Sequence, residues 1–246
     1  MSNKPSFYIK KTKSGLMEGI LVHFYEWRDT PPLDTQGLAP VAETVFVHLN
    51  HLWRDKPHEK VRSEKYLAEF KGFIATERGT YRFHVVSSGG VKIWVDENLV
   101  VDSWVLDKLR KLSSNPIPLN RGFHRFRLLY CNAKRPGWIR VTWEKPGGVI
   151  EDIGRKDLYF SIGEHVFITN LPDNYTVVLT PLEKSLEIKR CVSVSGLCTI
   201  EVKYTEQPLE CIMSVYNEKG QPVFRGVQPI TVWGGDVYEL LPSDRG

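Results

Sequence analysis

The sequence of 246 residues contains few cysteines, no long apolar run and no recognisable secretion signal. Four cysteines are too few for a disulfide scaffold, and no Cys-x-x-Cys pair indicates zinc. Without a run of about 18 apolar residues, no membrane-spanning helix is expected. The basic N-terminus is not followed by the apolar stretch of a signal peptide. These absences favour a globular chain of one or two domains, synthesised in the cytoplasm.

Two of the cysteines, Cys191 and Cys198, flank the segment Val-Ser-Val-Ser-Gly-Leu. A two-residue turn at Ser195-Gly196 sets neither cysteine directly opposite the other in a hairpin. A disulfide between them is therefore not expected. We interpret all four cysteines as reduced and mostly buried.

Catalytic and nucleotide-binding motifs are also missing. The sequence contains no Gly-x-Ser-x-Gly elbow, Walker loop or dinucleotide fingerprint. His48 and His51 are three residues apart in a strand-like segment, so their rings are expected on opposite faces and no metal pair is predicted. Basic and aromatic residues alternate over 121–127, as in single-strand binding surfaces, but a solvated sheet face is the favoured interpretation. We therefore predict neither an enzyme nor a nucleic-acid partner.

Charge is mild overall but unevenly distributed. The formal net charge of +4 does not by itself indicate a nucleic-acid-binding protein. Residues 161–246 hold 7 basic and 11 acidic residues, net −4, whereas residues 1–160 hold 26 and 18, net +8. Opposite charges could draw copies of the chain together, although two independently solvated domains explain the same counts.

The dominant pattern along the chain is short β-strands. Segments such as 81–86, 91–95, 123–130 and 138–143 alternate or are rich in β-branched and aromatic residues, and Gly- or Asn-containing turns separate them. Only residues 102–112 are helix-like. A Pro-Gly-Gly break at 146–148 precedes a second strand series from about residue 165. We predict an all-β protein of two antiparallel β-sandwich domains, residues 1–160 and 161–246, the second jelly-roll or immunoglobulin-like.

Four segments of the first half occur in an order typical of a known family: 15–25, 70–104, 122–130 and 139–143. The strongest reads FKGFIATERGTYRFHVVSSGGVKIWVDENLVVDSW. Over residues 13–160 the chain resembles the β-sandwich domain named after the toxin component protective antigen. The resemblance implies a non-catalytic module, because this domain is an insert in or neighbour of the active domains of glycosidases, adhesins and toxins.

The loop that carries calcium in this family differs here. Sugar-binding members place two neighbouring aspartates before the Val-x-x-Trp strand, and the bound calcium holds sugar hydroxyls. The equivalent loop in this chain is Ser87, Ser88, Gly89 and Gly90. Calcium prefers about six to eight hard oxygens with carboxylates among them. We therefore expect no cofactor and no metal at this loop.

Exposed aromatic residues are the remaining candidates for glycan contact. Trp27, Trp53, Trp94 and Trp138 lie at strand ends or off the apolar register. In the second half, segments 168–179 and 230–240 resemble the ends of small C-terminal β-sandwich modules of virus, phage and surface proteins of thermophiles.

These observations support two functional hypotheses. The first is a structural or attachment component of a virus or phage particle, such as a capsid, turret or tail protein. It would assemble with copies of itself or neighbouring structural proteins, contact host glycans and reside in the virion. The alternative is a non-catalytic glycan-binding or adhesion module at an extracellular surface, reached without a signal peptide.

Overall fold

The computed structural model describes residues 7–106, 108–202 and 208–243, and every regular element in these ranges is a β-strand. The first strands are β1 (Phe7–Lys13), β2 (Leu16–Glu18), β3 (Ile20–Glu26), β4 (Ala42–Phe46), β5 (Asn50–Trp53), β6 (Tyr66–Thr76), β7 (Gly79–Ser87), β8 (Gly90–Val95), β9 (Asn98–Ser103), β10 (Arg110–Ser113), β11 (Ile117–Leu119) and β12 (Gly122–Asn132). The others are β13 (Gly137–Glu144), β14 (Ile150–Asp152), β15 (Leu158–Ser161), β16 (His165–Thr169), β17 (Thr176–Pro181), β18 (Lys189–Val192), β19 (Cys198–Glu201), β20 (Leu209–Tyr216), β21 (Pro222–Arg225), β22 (Ile230–Val232) and β23 (Val237–Pro242). The all-β prediction is confirmed.

The chain forms two compact units, but the first strand lies in the second of them. One unit is Glu18–Phe160, and the other combines Phe7–Met17 with the described residues from Ser161 onward. Strand β1 pairs antiparallel with β23, from Phe7 opposite Pro242 to Lys13 opposite Val237. Alternating apolar residues explain this position, because Phe7 and Ile9 pack against the C-terminal core. The expected domain of residues 1–160 thus begins at residue 18 in the structure.

The unit of residues 18–160 contains two sheets around one core. Strands β3, β6, β12, β8 and β9 pair in this order in the larger sheet. In the smaller sheet, β10, β7, β13 and β14 pair in order, and β5 joins β13. Every second residue of β7 and β8 is buried, including Phe83, Val85, Val91 and Ile93, and these side chains share one apolar cluster. This arrangement is typical of a β-sandwich.

The C-terminal unit is a smaller β-structure with its own core. One sheet has the order β1–β23–β16–β19, and the other has the order β18–β17–β20–β21. Ile168, Val177, Val215 and Leu240 are among the residues buried in its core. Strands β16 and β23 run parallel, in contrast to the expected wholly antiparallel arrangement.

The helix predicted near residues 102–112 is not formed. Strand β9 ends at Ser103, and β10 begins at Arg110 and pairs with β7. Between them, Asp107 lies outside the described residues. Tertiary pairing overrides the local preference here, because β10 extends the smaller sheet and packs Leu112 against the core. In the described part of the chain, no helix has the length and apolar character needed to span a membrane.

Candidate functional site

The family loop Ser87–Gly90 contacts the hairpin of residues 132–138. The Ser88 amide donates a hydrogen bond to the Trp138 carbonyl oxygen at 2.9 Å. The Trp138 amide in turn donates to Ser88 Oγ at 2.8 Å, and this oxygen lies 3.2 Å from the Pro136 carbonyl oxygen. These contacts fix the loop against the hairpin and place Trp138 beside it.

The same hairpin contacts a charged segment, residues 54–65. Asn132 Nδ2 donates to the Ser63 carbonyl oxygen at 3.4 Å. Arg135 Nε lies 3.4 Å from Glu64 Oε1, and its terminal nitrogen lies 3.7 Å from Asp55 Oδ1. Residues 54–65, 87–90 and 132–138 therefore converge, and we call this region the loop-end site.

A polar cleft of about 470 Å³ is formed by Glu26 and the charged segment of the loop-end site, residues 54–65. It is lined by Glu26, Lys56, Glu59, Lys60, Val61, Arg62, Ser63, Glu64 and Lys65. Arg62 Nε pairs with Glu26 Oε2 at 2.9 Å, and the Arg62 amide donates to Glu26 Oε1 at 2.8 Å. The side chains of Arg62 and Glu64 are 53% and 45% exposed. Guanidinium and carboxylate groups in this position can donate to and accept from the hydroxyl groups of a ligand.

A buried polar network supports the loop-end site from below. The Tyr130 hydroxyl donates to Asn132 Oδ1 at 3.1 Å and accepts the Trp138 amide at 3.0 Å. Burial raises the pKa of Tyr130 to about 12, so the phenol keeps its proton at neutral pH. A Cβ at Gly137 would lie only 2.4 Å from the Tyr66 hydroxyl, so a larger residue does not fit there without displacement. The hairpin therefore has a fixed position relative to the sheet.

The residues of the family loop do not fit calcium. Ser87 Oγ donates to the Gly89 carbonyl oxygen at 2.8 Å, and Ser88 Oγ is occupied by the hairpin. The loop supplies no carboxylate, whereas calcium sites normally include them. Within residues 7–106, 108–202 and 208–243, no cluster of three or more His, Cys, Asp or Glu residues could hold a metal ion.

Two of the four candidate tryptophans are buried and offer no open ring face. Trp27 is 8% exposed and Trp53 is 9% exposed. The Trp53 ring stacks on the His51 ring at 5.1 Å, while the Lys65 ammonium lies 5.7 Å from the Trp27 ring centre. Packing thus explains their positions at strand ends. The expectation that these two rings contact a glycan is wrong, because neither ring is exposed.

The other two tryptophans are half-buried and lie in different places. The Arg127 guanidinium lies 4.5 Å from the Trp94 ring centre and covers part of that ring. Trp138 lies in the loop-end site, where its backbone is bonded to Ser88. Of the four candidates, Trp138 is therefore the one placed at the family loop, and its contact with a glycan stays a prediction.

The basic stretch of residues 121–127 is neutralised by acidic partners. Arg127 Nε donates to Glu69 Oε1 at 2.7 Å, and its terminal nitrogen donates to Asp34 Oδ1 at 2.7 Å. Arg125 pairs with Glu97 at 2.5 Å. These pairs leave little free positive charge for phosphate contact, which favours the solvated sheet face over a nucleic-acid surface.

The loop-end site falls inside a segment that is similar to a known family. Residues 46–157 match the PA14 domain family. Over 114 residues, the chain is 28% identical to anti-sigma-I factor RsgI3 of Acetivibrio thermocellus. This alignment covers 45% of the chain but only 18% of the relative, so the chain spans less than a fifth of that protein.

Several solved structures share the fold, and two of them are described as PA14 domains. The PA14 domain of the MpAFP antifreeze protein has a TM-score of 0.53 at 12% identity, covering 61% of this chain and 94% of that one. The PA14 sugar-binding domain from an RTX adhesin has a TM-score of 0.52 at 14% identity, covering 60% and 99%. An anti-sigma factor domain-containing protein has a TM-score of 0.51 at 14% identity, covering 92% and 99%. The fold expected from the protective-antigen resemblance agrees with these neighbours, and none of them is described as a virus or phage protein.

Sequence reasoning located the family loop but missed its neighbours. It did not identify Glu26, Arg62, Glu64 or Arg135 as candidates. The density of alternating basic and acidic side chains in residues 54–65 is the sequence feature that could have indicated a binding segment. The pairing of residue 132 with residue 63 is a long-range contact that the sequence does not reveal.

Proposed function

We propose that the chain is a non-catalytic carbohydrate-binding module whose ligand contacts the loop-end site. One observation carries the proposal. The PA14 match spans residues 46–157 and contains all three segments that converge at this site. The neighbouring RTX adhesin domain is described as sugar-binding, which supports the same ligand class.

The chemistry of the cleft suits hydroxylated ligands. Arg62 and Glu64 in the cleft, and Arg135 beside Glu64, present planar groups with paired donors or acceptors, the geometry that adjacent sugar hydroxyls match. In this proposal the half-buried ring of Trp138, whose backbone is bonded to Ser88, packs against the carbon face of a sugar ring. Because Ser88 is already bonded within the protein, direct hydrogen bonds replace a calcium bridge in this proposal.

A glycan array followed by calorimetry of the full chain tests the proposal. We expect one class of polysaccharide or oligosaccharide to bind, and Arg62→Ala and Glu64→Ala to weaken its affinity at least about tenfold, equivalent to about 1.4 kcal/mol. Arg121→Ala is the matched control, since this arginine is 80% exposed and lies outside the cleft. Wild-type affinity in both cleft variants contradicts the site, and a wholly negative array contradicts the function.

A second candidate is the carbohydrate-sensing part of a longer anti-sigma factor. It is favoured because the solved anti-sigma factor domain-containing protein covers 92% of this chain. A sigma-factor-dependent reporter in the source organism tests it. If the carbohydrate identified on the array induces the reporter, and Arg62→Ala abolishes this induction, the result supports sensing. Unchanged reporter expression supports a binding module without a sensing role.

The virus or phage component has less support than either candidate. The similar proteins described above are sugar-binding, antifreeze and anti-sigma factor proteins rather than virion parts. Purified particles that contain the chain would restore the virion hypothesis. Assembly with copies of itself also stays a proposal, which light scattering of the purified chain tests.

A further inference from the structure

A second polar cavity lies at the other end of the strands that carry the loop-end site. Strand β7 ends at the family loop, and β13 begins at the hairpin of residues 132–138. The second cavity lies where β7 begins and β13 ends, and its volume is about 400 Å³. Six residues along β7 separate Arg82 in this cavity from Ser88 in the family loop, which corresponds to roughly 20 Å of extended chain. The cavity and the loop-end site are therefore separate places on the same unit.

Arg82 lines this cavity with an unsatisfied donor. The residue is half-buried, and its Nε atom is buried. No residue in the described part of the chain accepts a hydrogen bond from this atom. Because buried polar groups in folded proteins almost always have partners, the unpaired Nε marks a position where a ligand atom or a water oxygen accepts.

Glu144 supplies an acceptor next to this donor. It lies opposite Arg82 in the ladder between β7 and β13, so the two side chains are on the same face of the sheet. Its carboxylate is 35% exposed, and its Oε2 atom lies 3.5 Å from His84 Nε2, which is too long for a strong hydrogen bond. His84 Nε2 is likewise buried without a hydrogen-bond partner among the described residues. The carboxylate therefore keeps acceptor capacity for a ligand.

The charges around the cavity disfavour an anionic ligand. Lys145 also lines the cavity, but its ammonium is paired with Glu151 and lies 3.3 Å from Asp157 Oδ1. Together with Arg82 and Glu144, this makes two positive and three negative groups. A hydroxyl group can accept from the guanidinium and donate to the carboxylate. A neutral ligand with neighbouring hydroxyls therefore suits the cavity better than a carboxylate or a phosphate.

The walls of the cavity leave room for a small ring. Gly147 and Gly148 form part of its lining, with φ angles of 96° and 82°. A Cβ added at either glycine would have no atom within 4 Å, so the turn borders open space. Pro116 and Pro146 also line the cavity and add apolar surface. A concave site with apolar walls and a few polar groups is typical of small-ligand binding.

We propose that this cavity is a second binding site, which takes one neutral sugar unit. Neighbouring hydroxyls of the sugar accept from Arg82 and donate to Glu144, and its carbon face packs against the prolines. The cavity shares no lining residue with the cleft of the loop-end site, so the proposal does not depend on that site. If both sites bind sugar, the unit of residues 18–160 can link two saccharide chains.

NMR titration of the isotope-labelled, full-length chain with glucose, galactose, mannose and xylose tests the second site. We expect at least one of these sugars to shift the amide signals of Arg82, Glu144, Gly147 and Gly148 saturably, with a millimolar dissociation constant. Arg82→Ala should weaken this binding at least about tenfold.

Two control variants keep the sites apart. Arg140→Ala should leave the shifts unchanged, because Arg140 is on the same strand as Glu144, pairs with Asp152 and lies outside the cavity. Arg62→Ala should also leave them unchanged, since it alters only the loop-end cleft. Loss of binding in Arg62→Ala would assign the shifts to the loop-end site and overturn the second site.

Other outcomes also contradict the proposal. It is wrong if none of the four sugars gives a saturable shift of these amides, or if Arg82→Ala binds as tightly as the wild type. Acetate and phosphate are the anion probes, and tighter binding of either at the same amides would show an anion site instead. If Arg82→Ala does not fold, Glu144→Gln should weaken sugar binding at least about fivefold, because an amide is a poorer acceptor than a carboxylate. Unchanged affinity in Glu144→Gln would then overturn the site.

Discussion

At the scale of single residues, Ser88 determines how the loop-end site meets its ligand. Its hydroxyl accepts the Trp138 amide at 2.8 Å, in a loop without carboxylates. We expect no calcium affinity tighter than about millimolar, the weak end for extracellular modules. We also expect carbohydrate binding to be unchanged by a chelator. Calorimetric titration checks both, and a micromolar calcium isotherm that Ser88→Ala abolishes would show the expectation to be wrong.

Glu69 makes the stability of the 18–160 unit dependent on acid pH. Burial alone would raise the pKa of this carboxyl, but hydrogen bonds and charge from Lys71 and Arg127 outweigh burial and hold the pKa below its usual range. A lowered pKa in the folded state contributes stability above the unfolded value of about 4.3. This contribution is lost as pH falls through the lower folded value.

The Glu69 prediction is a lower but flatter stability curve for Glu69→Gln. At pH 7 the variant should lose about 2 kcal/mol, because the partly exposed Lys71 and Arg127 lose the charge of their buried carboxylate partner. Between about pH 5 and 3 its unfolding temperature should fall less than that of the wild type. Glu77→Gln is the control, since its side chain is 75% exposed. Parallel pH profiles for wild type and Glu69→Gln would contradict the argument.

The sequence predicted the position of a site residue where neighbouring residues in the chain mark it, and failed where burial depends on distant residues. The loop 87–90 was found because its position before the Val-x-x-Trp strand is visible in the sequence. Trp27 and Trp53 were misjudged because a strand end gives no information on burial. The Trp53 ring packs near Phe24 and Tyr66, which are distant in sequence, and only the folded sheets bring these rings together.

At the scale of elements, β1 shows how a lysine-rich segment becomes a structural strand. Residues 10–13 read Lys-Lys-Thr-Lys, a composition more typical of a solvated arm than of a paired strand. In the structure Lys11 Nζ instead lies 2.6 Å from Asp236 Oδ2, and this fully buried carboxylate also accepts the amides of Gly15 and Trp233. Such a partner just before the last strand could not be inferred from residues near the N-terminus.

The contacts of Asp236 predict that it fastens β1 to the C-terminal unit. Asp236→Ala removes the acceptor of two buried amides and the partner of Lys11, so we expect a loss of about 3 kcal/mol in unfolding free energy. Denaturant unfolding followed by tryptophan fluorescence measures it. Glu218→Ala, in an exposed turn of the same unit, should change stability by less than about 0.5 kcal/mol. Equal effects of the two substitutions would be inconsistent with a fastening role.

At the scale of the whole molecule, the division into units predicts which fragment is self-sufficient. Residues 18–160 have their own two sheets and core, whereas β1 pairs only with a strand from the C-terminal unit among the described strands. We expect a fragment of residues 18–160 to be soluble and to melt cooperatively. A fragment of residues 1–160 should melt at the same temperature, with residues 7–13 cleaved readily by protease. A non-cooperative melt of the shorter fragment would contradict this division.

The position of β1 also changes the charge argument for association. The strand carries Lys10, Lys11 and Lys13, which transfers three positive charges to the C-terminal unit. Residues 7–17 and 161–246 together have a net charge of −1, and residues 18–160 have a net charge of +4. Attraction between the oppositely charged parts of different copies is therefore weaker than the linear sequence indicated.

The register of β1 on β23 has a mechanical consequence. Phe7 is opposite Pro242, so the outer ends of both strands lie at the same end of the pair. Tension applied to the chain before Phe7 and after Pro242 would load the hydrogen bonds one at a time, like a zipper, rather than shear them together. The C-terminal sheet should thus open at low force, starting from Phe7 and Pro242.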